Sequence, residues 1–220
     1  MKRLGVLPLA ILAITLMLGG NAFAQNVGDN SVYFVTYYSN ANTAGAPDQT
    51  LRIINDGDYV ITDDVAPVEP GTLWAAFYVF TDSQDYQACC ACQVTADGIV
   101  SESVNKQLTA YEFSIRSELS RGVIKVISSS SGDPTSPMPT TGLRGWATHI
   151  QATTTTFPAP GPGNPVNAKE AGPWFVTEDP LADSNLSSTE LSNLGTLCGY
   201  GITLGSGWGI CTCTPEDYDF

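Results

Sequence analysis

Apolar positions in this chain fall into short runs, and the longest comes first. Leu4 to Leu18 is broken only by Gly5, Pro8 and Thr15, follows the basic pair Lys2-Arg3, and leads to Ala22-Phe23-Ala24. A basic start, an apolar stretch and a small-x-small site describe a secretory signal peptide, so residues 1–24 are expected to be removed. The run is shorter than the roughly 20 residues that span a bilayer. No cysteine follows it to carry a lipid. The expected mature protein is one domain, residues 25–220.

Within that domain the runs have strand length. Gln25 to Asn30 is polar, and Ser31 to Ser39 then carries Val32, Phe34 and Tyr38 on one side with Tyr33, Val35 and Tyr37 on the other. β-Branched and aromatic residues at this density predict a strand covered on both faces. Such a strand either pairs inside its own sandwich or is donated to a neighbour. Leu51 to Ile54 predicts a second strand. The Asp56-Gly57 step after it is a tight-turn signal from which Tyr59-Val60-Ile61 is expected to return as a hairpin. Pro67, Pro70 and Gly71 close that section. Leu73 to Phe80 is the strongest core strand and runs on into the first cysteines. Ile99 to Val104, Gly122 to Ser128, Leu143 to Gln151 and Pro173 to Val176 predict further strands.

Two stretches read differently. Val104, Leu108, Tyr111, Ile115 and Leu119 fall at helical spacing, interrupted by Thr109, Phe113 and Ser120, so residues 101–121 remain open between helix and extended chain. Ser187-Ser188-Thr189-Glu190 fits a capping box, and Leu191, Leu194 and Cys198 continue one helical face to an expected end near Gly199. Ser128 to Thr141 and Thr153 to Asn167 are loops, the latter unable to form a ladder because its prolines lack amide donors. Short strands separated by turn signals predict an all-β fold. It is a single β-sandwich, immunoglobulin-like or related, with a short C-terminal helix.

Composition narrows the partners. Once the leader is removed, 7 basic residues face 22 acidic ones, a formal charge of −15. That surface repels nucleic-acid backbones and anionic membranes. No nucleic acid and no membrane insertion after signal removal are expected.

The six cysteines form two clusters, Cys89, Cys90 and Cys92 in mid-chain and Cys198, Cys211 and Cys213 near the end. An exported chain with an even number of cysteines is expected to be disulfide-bonded. Six cysteines allow fifteen pairings. Adjacent Cys89 and Cys90 cannot bond each other without a strained backbone, and Cys211 with Cys213 is also tight, so bonds between the clusters are favoured. They would tether the helix and tail to the body. The alternative, a thiolate site for zinc or copper, lacks the usual ligand spacing.

His149, the single histidine, shares a strand face with Ala147 and Gln151 opposite Trp146, Thr148 and Ile150, and is expected at the surface without a catalytic role. No Gly-x-Ser-x-Gly elbow accompanies it. Gly205 to Gly209 lacks the lysine of a phosphate loop and reads as a turn. The acidic groups Asp56/Asp58, Asp63/Asp64 and Glu178/Asp179/Asp183 are candidate calcium ligands without an EF-hand spacing, and solvated loop charge is the simpler reading. The closing Tyr218-Asp219-Phe220 ends like an outer-membrane barrel strand, but the residues before it do not alternate.

Four stretches, Cys89 to Thr95, Gly122 to Ser128, Gly145 to Ile150 and Gly205 to Cys213, resemble patches of a group of secreted, cysteine-containing bacterial proteins with no known activity. The resemblance implies export and a cysteine-locked domain, with Phe157 to Asn167 as an insertion of this chain. It supplies no site residues.

The functional expectation is a non-enzymatic extracellular structural or cell-surface protein, a self-assembling subunit being one form of it. No catalytic, cofactor-binding or metal-binding residue is assigned and no cofactor is expected. Expected partners are other copies of the chain or cell-surface glycans. The alternative is a module that binds glycans or small ligands through Trp146, Trp174 or Trp208.

Overall fold

The computed structural model describes residues 31–57, 59–61, 69–111, 119–152 and 174–214. The expected signal peptide, Gln25 to Asn30, Asp58, Asp63, Asp64, Pro67, Phe113, Ile115, the loop Thr153 to Asn167, Pro173 and Tyr218 to Phe220 lie outside those residues.

Two antiparallel sheets pack face to face as a β-sandwich. The first contains β1 (Tyr33–Ser39), β5 (Leu73–Thr81), β6 (Tyr86–Val94), β8 (Arg121–Ser129) and β11 (Ala182–Asp183), in the order β11-β1-β8-β5-β6. The second contains β2 (Thr50–Asn55), β7 (Ile99–Ser103), β9 (Leu143–Ala152) and β10 (Trp174–Pro180), in the order β10-β9-β2-β7. A two-stranded ribbon, β3 (Val60–Ile61) with β4 (Glu69–Pro70), stands apart.

The first sheet is apolar on both faces because both are covered. Phe34, Leu73, Ala75, Phe77, Val79, Ile124 and Val126 point into the space between the sheets and meet Leu51, Ile53, Val100 and Ala147. Tyr33, Ala76, Tyr78, Phe80 and Ile127 point the other way, onto Leu194 and Cys198 of helix α1 (Ser188–Thr203). β1 pairs along its whole length with β8 of its own chain, the internal alternative for this strand.

α1 begins as its sequence dictates: the Ser187 hydroxyl accepts from the Glu190 amide, satisfying one of the unpaired donors of the first turn. It does not end near Gly199. The chain stays helical to Thr203 and stops where Gly205 takes a left-handed φ of 63°, the usual glycine stop. Gly195 is buried, and a Cβ there would be driven into the Thr135 carbonyl oxygen. The helix therefore lies very close to the loop after β8.

One further expectation changes, and two stretches given no single conformation above take one. The Asp56-Gly57 turn does not return β3 onto β2, whose neighbours are β7 and β9. The Asn55 carboxamide instead donates to the Gly71 and Val94 carbonyls and accepts from the Gly57 amide, while the Asp56 amide donates to Gly142. These bonds steer the chain out of the sheet. The first cysteine cluster is itself a strand, β6, paired in register with β5. Between β7 and residue 111 the chain makes a single π-helical turn, Val104–Leu108, with both end residues buried.

Candidate functional site

β6 is the edge strand of the first sheet and β7 that of the second, so the connection that crosses between the sheets leaves one side of the sandwich open. The segment 209–214 closes it. The Cys89 amide donates to the Gly209 carbonyl at 3.1 Å, and the Cys211 amide donates to the Cys89 carbonyl at 3.0 Å. This short parallel pairing covers the exposed edge of β6. Tyr86 adds a bond from its hydroxyl to the Gly209 carbonyl at 3.0 Å.

Three disulfides fix this strap and the helix. Cys89 bonds Cys198, Cys90 bonds Cys211 and Cys92 bonds Cys213, across sequence separations of 109, 121 and 121. All six cysteines are paired across the clusters as expected. Strand alternation explains the arrangement: Cys90 and Cys92 face the inter-sheet core, while Cys89 faces the helix. One bond closing about 100 residues is worth about 4–5 kcal/mol in the chain-entropy model, and the remaining smaller loop between 198 and 211 adds about 3 kcal/mol. The sulfurs of Cys90, Cys92 and Cys213 lie within 4.8 Å of one another. Each is in a disulfide, so they offer no thiolate to a metal.

Past Cys213 the strap is held by a buried carboxylate. Glu102 faces inward from β7 with no exposed surface. Its two oxygens accept from the Thr214 amide at 3.0 and 3.1 Å. The Thr214 hydroxyl donates to the Ser101 carbonyl at 2.8 Å and receives from the Gln107 amide at 2.6 Å. Burial pushes the Glu102 carboxyl above its ordinary value of 4.5, and the bonds from Thr214 partly oppose that shift. The sequence signal of this clamp is a carboxylate two residues from Val100 and from Val104, at the inward position between them.

His149 corrects the surface expectation. It is 5% exposed, stacks on Tyr37 with ring centroids 4.0 Å apart, and has Nδ1 3.4 Å from the Gln49 amide nitrogen. Its face with Ala147 is the core face. Gly145 is small there because Ile53 and Leu181 fill the space, and Ala147 is buried beside it opposite Leu51. Burial lowers the imidazole pKa, opposed by Asp179 and the Tyr37 carbonyl. The Asp179 carboxylate is 4.0 Å from Nε2.

Among the described residues the candidate acidic groups do not converge as calcium ligands. Asp56 takes the Arg144 guanidinium at 2.9 Å, Glu178 pairs with Arg52, and Asp183 lies in β11 against Phe34. The three candidate tryptophans divide. Trp146 and Trp174 are half-buried; their register partners are Pro180 and Ala152. Alternation therefore puts both on the outer face of the second sheet, six residues apart along β10, or about 20 Å. Glu178 and Thr148 lie between them along the strands, and Arg52, opposite Trp146 on β2, pairs with Glu178. Among the described residues the Trp174 indole nitrogen is buried without a hydrogen-bond partner. Trp208 is on the opposite side, in the loop after α1, with its ring edge-on to Tyr111 at 6.4 Å. Gly205, Gly207 and Gly209, all at positive φ, bend that loop into the turn expected of it.

Beside α1 runs a groove of about 350 Å³ lined by Phe80, Val123, Leu194, Leu197 and the pair Lys125–Glu190. Lys125 sits 2.6 Å from the Glu190 carboxylate and 4.6 Å above the Phe80 ring, and the Tyr33 hydroxyl donates to the same carboxylate at 3.1 Å. The polar groups here satisfy one another.

No family model, no curated protein and no solved structure matches this chain. No helix among the described residues is long and apolar enough to cross a membrane.

Proposed function

We propose that the chain is an exported, non-enzymatic structural or cell-surface protein that acts as an assembling subunit. The observation that supports this is the way α1 is mounted. A disulfide and a buried stripe hold the helix rigidly on the sandwich, while Leu197, Tyr200 and Leu204 face outward from it. A covalently braced body with apolar side chains on a fixed outer element suits association better than turnover. The leader at residues 1–24 and the cysteine pairs fit export to an oxidising compartment. Negative-stain microscopy and light scattering of the mature protein test the reading. Species heavier than one chain that grow with concentration are expected; a monomer at every concentration contradicts it.

A second reading has an observation of its own. Trp146 and Trp174 share one sheet face, with Glu178 between them and its partner Arg52 beside Trp146. Aromatic rings flanked by hydrogen-bonding groups suit the apolar faces and hydroxyls of an extended glycan. Retention on polysaccharide in affinity electrophoresis, lost in Trp146→Ala, would support this reading; unchanged mobility on all polysaccharides would dismiss it.

A further inference from the structure

The outward flank of α1 is apolar at helical spacing in its own right. Leu194, Cys198 and Gly201 form the buried stripe, and Leu197, Tyr200 and Leu204 repeat the 3–4 spacing on a second, exposed stripe beside it. Tyr200 is 63% and Leu204 50% exposed. The loop beyond adds Trp208, 51% exposed, in ring contact with Tyr111. A surface helix normally presents charge on such a flank. Here residues 191–215 contain no charged side chain at all, in a chain of net charge −13. The one charge within the helix, Glu190, is taken by Lys125 and Tyr33.

We infer that this flank is the contact between two copies of the chain, α1 and the Trp208 loop of one meeting those of the other. The inference rests on the assembly reading and names its interface. The charge distribution selects the occupant. Two strongly acidic copies repel across most of their surface and can approach closely only where charge is absent. A basic partner would be drawn instead to the acidic remainder. The area is also sufficient. At about 200 Å² for a large side chain, the exposed fractions of Tyr111, Leu197, Tyr200, Leu204 and Trp208 amount to about 500 Å² per copy. The pair would then bury about 1,000 Å², the lower bound for a specific interface. Tyr200 and Trp208 supply the aromatic anchors common at such centres, and Leu197 borders the open groove beside the helix.

Sedimentation equilibrium of the mature, oxidised protein from micromolar to millimolar concentration tests the inference. The wild type should dimerise, and added salt should tighten the dimer by screening the repulsion between copies. Tyr200→Asp should weaken association at least tenfold with an unchanged melting temperature. Trp208→Ser, in the loop outside the helix, should weaken it likewise and stands in if the first variant does not fold. Val176→Lys, on the exposed edge strand β10, should leave association unchanged. A wild type that associates regardless of Tyr200 and Trp208, or that loses association in Val176→Lys, would overturn this interface while the assembly reading survives. A monomer throughout would overturn both.

Discussion

Cys89 and Cys90 are neighbours in the chain and anchor opposite layers of the molecule. Cys89 points outward and bonds Cys198 in α1, whereas Cys90 points into the sandwich and bonds Cys211 in the strap. Alternation along β6 makes this possible without strain at the adjacent pair. One strand therefore holds the helix on one face of its sheet and the tail against the other, and Cys92 with Cys213 repeats the inner bond two residues on.

Glu102 gives the strap a pH dependence. Its folded pKa is raised by burial above the ordinary 4.5. The folded state therefore binds the proton more tightly than the unfolded chain, and this contribution to stability is fully present below pH 4.5. It is lost as pH rises through the folded pKa. Glu102→Gln should remove that dependence, so the stability of wild type relative to the variant falls as pH rises above 4.5. Glu102→Leu leaves the Thr214 amide unpaired and should cost about 1–3 kcal/mol. Urea denaturation across this range, with disulfides intact, checks both.

His149→Ala should destabilise the fold by about 1–3 kcal/mol, through the space it leaves beside Tyr37 and the loss of its contact with Gln49. A surface residue would change stability by less than about 0.5 kcal/mol. Its lowered pKa acts in the opposite sense to that of Glu102. The contribution is present above pH 6.5 and lost as pH falls through the folded value, because protonation favours the unfolded chain. Thermal melts of wild type and variant between pH 5 and 8 should converge on the acid side.

The closeness of α1 to the loop after β8 is tested by two glycines four residues apart. In Gly195→Ala the new methyl meets the Thr135 carbonyl, and overpacking of this kind costs about 1–3 kcal/mol. At Gly199 the nearest atoms would lie 3.9 Å away, so Gly199→Ala should instead gain about 0.5–1 kcal/mol from helix propensity. Opposite signs in denaturant midpoints are expected. Equal gains would mean that the helix stands off the loop.

The strands were legible where β-branched and aromatic residues mark both faces, as in β1, β5 and β8. β6 was not, because Cys-Cys-Ala-Cys carries no strand signature and its conformation is imposed by pairing with β5. At His149 the alternation was read correctly and the face wrongly. Gly145 faces the core because Ile53 and Leu181 leave no room for a side chain there, so its neighbour Trp146, the largest residue of that stretch, is turned outward. The Asp56-Gly57 step signalled a turn, but Asn55 and Asp56 spend their bonds on Gly71, Val94 and Gly142 rather than on a hairpin. The helix start was legible in its capping box. Its open flank was visible as missing charge, although only the packing of Leu194 and Cys198 shows which side is free.

The account rests most directly on the cross-cluster disulfides that hold the helix and the strap. Stepwise partial reduction and alkylation of the mature protein, followed by peptide mass spectrometry, reads their connectivity. The predicted result is no free thiol under denaturing conditions and three links, Cys89–Cys198, Cys90–Cys211 and Cys92–Cys213. The sulfurs of Cys90 and Cys213 are close enough for exchange, so stepwise opening is needed to separate that isomer from the predicted pair. Six alkylatable thiols, or links confined within either cluster, would contradict the account.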